Sequence, residues 1–112
     1  MEHSEFLQLV NLSIESIPEK IREYLENVDI VVEEAPSQNQ LAGHIINDGD
    51  QHLGLYEGLP LSERTDYSSV LPDKIILFQH PIESICNDND EIIDEIRKTV
   101  IQEIAHHYGI DE

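Results

Sequence analysis

The chain predicts an α+β domain: a small twisted sheet with two helices ahead of it and one long helix behind. Apolar residues recur at helical spacing near both ends, and three short segments rich in branched aliphatic residues lie between them. Glycine, proline and Asn/Asp clusters punctuate those segments, so the order is helix, helix, strand, strand, strand, helix. At 112 residues the chain can bury one core but not two, and it reads as a single domain, 1–112.

Ser4 to about Ser16 carries Phe6, Leu9, Val10, Ile14 and Ile17 at helical spacing and predicts the first amphipathic helix. Ser16-Ile17-Pro18-Glu19 has the form of a capping box with proline early in the first turn. It predicts a second helix to about Asn27, with Ile21, Tyr24 and Leu25 sharing a face. Val28 to Glu33 is β-branched and too short for a helix, so it predicts the first strand. Ala35 to Gln51 is polar, carries Pro36, Gly43 and Asn47-Asp48-Gly49-Asp50, and reads as a long loop with a plain turn; it lacks the ligand spacing of a calcium loop.

Leu53 to Tyr56 predicts a short strand, Gly58 to Ser69 a surface segment, and Lys74 to Gln79 a buried strand that His80-Pro81 stops. Pro81 to Ile85 suggests one turn. Asn87-Asp88-Asn89-Asp90 then offers several N-caps and negative charge at the start of a helix from Asp90 to about Tyr108. In that helix Ile92, Ile93, Ile96, Val100, Ile104 and Tyr108 form one apolar face, edged by Ile101 and Ala105.

Composition narrows the function. With 24 acidic against 6 basic side chains the formal charge is −18, which repels phosphate backbones and anionic membranes; nucleic acid is not expected as a partner. No run of eighteen apolar residues could span a bilayer, and Met-Glu-His-Ser-Glu lacks the basic and apolar segments of a signal peptide. The lone Cys86 cannot form an intrachain disulfide and has no base partner in sequence, so it reads as structural. The expectation is a cytoplasmic protein without membrane partners.

The chemistry concentrates at the end of the last helix, in Gln102-Glu103-x-x-His106-x-x-Gly109-x-x-Glu112. Gln102 and His106 stack one turn apart, opposite the apolar face, with Glu103 one step round. This is the layout of H-E-x-x-H with one residue changed. In that motif two imidazoles grip Zn²⁺ with bonds of about 2.0–2.1 Å and the intervening Glu serves as general base. Gly109 would let the chain leave the helix in a left-handed conformation, so that a third ligand, Glu112, arrives from beyond the turn.

Three blocks in the same order resemble the small bacterial minimal zincins, a zincin-like metallopeptidase family. They are Leu53 to Arg64 (Leu-Gly-Leu-Tyr-Glu-Gly-Leu-Pro-Leu-Ser-Glu-Arg), Leu71 to Phe78 (Leu-Pro-Asp-Lys-Ile-Ile-Leu-Phe) and Gln102 to Glu112. The resemblance implies a zincin-like minimal domain with the metal helix beside a sheet edge, zinc as cofactor, and a peptide or protein as substrate. Carried residue by residue, it implies Gln102, His106 and Glu112 as metal positions and Glu103 as catalytic base. It also implies that Tyr56, Glu57 and Arg64 shape the cleft wall.

The chain departs from the family at Gln102, where the family has its first zinc histidine. A neutral amide is a far poorer zinc donor than imidazole, and losing one of three protein ligands weakens binding by several kcal/mol. His107 is the nearest substitute, but it points toward the apolar stripe and reads as a packed histidine. Two functions remain open: zinc-dependent peptide-bond hydrolysis impaired at Gln102, and an inactive scaffold that holds a peptide or protein without cutting it.

Overall fold

The structure, a computed structural model, describes residues 1–38, 53–58 and 73–109. Four α-helices and a three-stranded mixed sheet make up these residues, an α+β architecture. Helix α1 (His3–Glu15) turns Phe6, Leu9, Val10 and Ser13 inward. The buried Ser13 spans two helices, its hydroxyl donating to the Leu9 carbonyl at 2.7 Å and facing the Ile93 carbonyl of the last helix at 3.1 Å.

The second helix is shorter than its apolar spacing predicts. Helix α2 (Glu19–Arg22) tightens into a 3-10 turn at Glu23–Leu25. The expected capping box does not form, because Ser16 closes α1 instead and donates its hydroxyl to the Ser13 carbonyl at 2.7 Å. Pro18 takes the N-cap place of α2 with no side-chain bond.

Strand β1 (Val28–Glu33) falls where the β-branched run predicts. β2 (Gly54–Glu57) and β3 (Asp73–Phe78) complete the sheet in the order β1-β3-β2. β3 lies at the centre, parallel to β1 with Val28 opposite Asp73, and antiparallel to β2 with Gly54 opposite Leu77. Its run of apolar residues suits burial on both faces. Ile75 and Leu77 enter the main core with Phe6, Val10, Ile96, Val100 and Ile104. Ile76 and Phe78 pack with Leu55 on the other face.

Gln79 belongs to no strand. It opens helix α3 (Gln79–Ser84), in which Pro81 sits within the first turn, where a missing N–H costs nothing. Helix α4 (Asn89–Tyr108) starts at Asp88, whose carboxylate accepts from the Glu91 N–H at 2.9 Å; Asp90 and Glu91 add charge to the positive end of the helix. It ends at Gly109 with φ 66° and ψ 34°. A Cβ there would meet nothing within 4 Å, so the left-handed backbone alone calls for glycine. Among the described residues no helix is long and apolar enough to cross a membrane. The predicted 35–51 loop beyond residue 38, the surface segment beyond Gly58, Arg64 and Glu112 lie outside the described residues.

Candidate functional site

Gln102, Glu103 and His106 lie on one continuous helix, α4, whose other side fills the core. Gln102 and His106 are exposed one turn apart and Glu103 is half-buried beside them. Burial pushes the Glu103 carboxyl above the usual carboxylate range, while the nearby His106 and the backbone N–H of Tyr56 draw it part of the way back. Desolvation disfavours the charged form of an acid, and a positive neighbour or a donor favours it.

A second line of residues on the same helix meets strand β2. Thr99, Glu103 and His107 are spaced by four and therefore stack along one face. Thr99 is buried against Gly54, where a Cβ would stand 2.5 Å from its Cγ2. Only a residue without a side chain lets the strand come this near. Glu103, half-buried, lies between Thr99 and His107 along this line. His107 stacks on the Tyr56 ring, centroids 4.0 Å apart and planes within 13°.

Tyr56 also donates its hydroxyl to the buried Asp73 at 2.7 Å. Burial and this anionic acceptor push the Tyr56 phenol far above its ordinary range, so it stays protonated and donating. A Cβ on Gly58 would stand 2.5 Å from the Asp73 carboxyl, so the second glycine of Leu-Gly-Leu-Tyr-Glu-Gly makes room for this acid as the first does for Thr99. His107 Nε2 is 3.8 Å from Asp73 Oδ2, beyond hydrogen-bond reach, and is buried without a partner among the described residues. Tyr24 and His107 pack against Tyr108, each with centroids 4.8 Å away.

The residues not singled out from sequence are therefore Asp73, Thr99 and the two glycines. Asp73 and the glycines lie inside the matching blocks and Thr99 within the last helix, but only the meeting of β2, β3 and α4 gives each its partner. His107 points to Tyr56 and Asp73, as its place beside the apolar stripe suggested. Cys86 packs on the core, and burial followed by the charges of Glu95, Glu91 and Asp88 pushes its thiol up, which makes it a poor nucleophile.

The donors fit zinc poorly. The exposed face of α4 offers one imidazole, His106, and one neutral amide, Gln102. Among the described residues no group of three or more His, Cys, Asp or Glu side chains is arranged to hold a metal ion. The third position implied by the motif, Glu112, lies outside those residues.

No curated protein matches the chain. A solved structure of a conserved hypothetical protein from Thermus thermophilus is similar in fold, with 21% identity and a TM-score of 0.60. The match covers 96% of this chain and 94% of that one. The sequence pattern of the zincin-like metallopeptidases matches residues 25–112, which include the strands, Asp73, Gln102, Glu103 and His106. The chain belongs to the zincin-like metallopeptidase family.

Proposed function

We propose that the protein is a peptide-binding member of its family in which the hydrolytic centre is incomplete at Gln102. The carrying observation is the uneven survival of the site. The helix, the glutamate and the strand edge are in place, whereas the exposed face of α4 presents one imidazole where two are needed. An extended peptide would add to the outer edge of β2 as a further strand. With a formal charge of −18 the protein favours a basic peptide over an acidic one. A cytoplasmic setting and a single domain spanning 1–112 belong to the same proposal.

Hydrolysis is the second reading, with Glu103 as general base and Gln102, His106 and Glu112 around zinc. One observation favours it: burial moves the Glu103 carboxyl upward, the direction a base working near neutral pH requires. Incubating the zinc-supplemented protein with extended basic peptides separates the two readings, with affinity read by fluorescence anisotropy and products by mass spectrometry. The expected result is binding with intact peptide. Product exceeding one equivalent of protein, and abolished in Glu103→Gln, would establish the second reading.

A further inference from the structure

The sheet ends on its other side at β1, and one bond fixes which groups that strand turns outward. The Asp73 N–H donates to the Asn27 carbonyl at 3.3 Å, with Val28 standing opposite Asp73. In a parallel ladder this phase sends the N–H and C=O groups of Asp29, Val31 and Glu33 toward β3 and those of Val28, Ile30 and Val32 outward. No strand lies beyond β1 among the described residues. The side chains of Val28, Ile30 and Val32 pack on the main core yet are only half-buried, so apolar surface of the core runs along this edge beside the outward backbone groups.

Charge decides what fits there. On the opposite face of the sheet the register sets Glu57, Lys74 and Asp29 side by side across β2, β3 and β1, all three exposed. Their signs alternate, minus, plus, minus, so the next place outward favours a cation. Glu33 repeats the negative charge farther along the same face of β1. A second copy of β1, Val-Asp-Ile-Val-Val-Glu, brings no basic residue to that place, and acids set opposite one another on neighbouring strands repel. We infer that the β1 edge is a strand-addition site for an extended partner segment of alternating apolar and basic residues. Its backbone takes the outward groups of Val28, Ile30 and Val32, its apolar side chains extend the core past them, and its Lys or Arg side chains flank Asp29 and Glu33. This site is separate from the β2 edge and does not depend on it.

The test uses the full chain, ¹⁵N-labelled and kept metal-free with a chelator, titrated with acetyl-Val-Lys-Val-Thr-Val-Lys-Val-amide, whose pattern reads the same in either direction. Hydrogen exchange should slow at the Val28, Ile30 and Val32 amides, which gain partners, and change little at Asp29 and Val31, which already bond to β3. The peptide with Glu in place of both Lys should bind about tenfold more weakly, and Asp29→Asn, an exposed substitution, should weaken binding of the Lys peptide about threefold, the scale of one cross-strand charge pair. Slowing at Gly54 and Tyr56 alone overturns the inference and leaves the β2 reading standing, whereas slowing at the three β1 amides alone upholds it and removes the β2 reading. Equal binding of the two peptides, or undiminished binding by Asp29→Asn, overturns it, as does the absence of any slowing. Slowing of the same three amides on concentrating the protein without peptide would place a second copy on the edge and overturn it as well.

Discussion

Replacing Gln102 with histidine tests whether one residue accounts for the weak zinc donor set. Gln102 is exposed on the continuous helix α4, one turn before the exposed His106, so the new imidazole needs no repacking of the core. Side chains at this spacing have Cβ atoms about 5–6 Å apart, within the reach of two imidazoles on one ion. Structural zinc sites with four protein ligands are worth about 10–16 kcal/mol, or about 2.5–4 kcal/mol per ligand if shared evenly. At about 1.4 kcal/mol per tenfold, the added ligand should tighten zinc binding by about 60- to 700-fold at neutral pH. Titrating both proteins against a competing chelator reads this directly. Glu112→Ala in the Gln102→His background should lose much of the gain. Equal, tight, stoichiometric binding by the two parent proteins would show that Gln102 is no defect, and absence of binding by both would show that more than one ligand is lost.

Four further outcomes follow from the contacts around β2 and α4. Gly54→Ala should cost about 1–3 kcal/mol in urea unfolding, since its Cβ meets Thr99 at 2.5 Å and the Ile76 carbonyl at 3.2 Å. Thr99→Ser should relieve part of that loss, and simple additivity in the double variant would contradict the close contact. Asp88→Ala should cost about 1 kcal/mol by removing the cap of α4, and no change in unfolding midpoint would show that Asn89 or Asp90 replaces it. His107→Phe keeps a ring on Tyr56 and removes the buried, unpartnered Nε2, so it should stabilise by about 1 kcal/mol; a clear loss would show that Nε2 supports Asp73. The Glu103 carboxyl is raised on folding, so the folded state holds its proton longer and stability falls as pH rises from the ordinary value of 4.5 through the raised one. Glu103→Gln should therefore be the more stable protein at pH 7, with an advantage that shrinks as pH falls through the raised value and is gone below 4.5, measured as the difference in thermal midpoints.

The helices and strands were legible to the degree that local pattern decides them. The β-branched run from Val28 placed β1, and the Asn/Asp cluster with Gly109 bounded α4, because strand preference and capping are properties of neighbours in sequence. The second helix is shorter than its pattern predicts and lacks its capping box: Ser16 can serve only one helix end, and α1 takes it. Gln79 looked like the last strand residue because it follows an apolar run, yet it is buried by bonds from a distant part of the chain, its amide donating to the Met1 carbonyl at 3.0 Å. At the site, helical spacing alone put Gln102 and His106 together and turned His107 away. The contacts of Tyr56 with Asp73 and His107 join three elements, and no local pattern announces such a meeting.

The central place of β3 shapes how the molecule is made. Among the described residues neither β1 nor β2 has a sheet partner until β3 arrives, and β3 is synthesised after both. The first strand must therefore wait for Asp73–Phe78, and α1 waits longer still for α4. Pairings so distant in sequence impose a large loop-closure cost before any contact rewards it, which slows folding and leaves nascent strand edges open. The heavy negative charge now acquires a second use, since repulsion between growing chains keeps those open edges apart until the last helix closes the core.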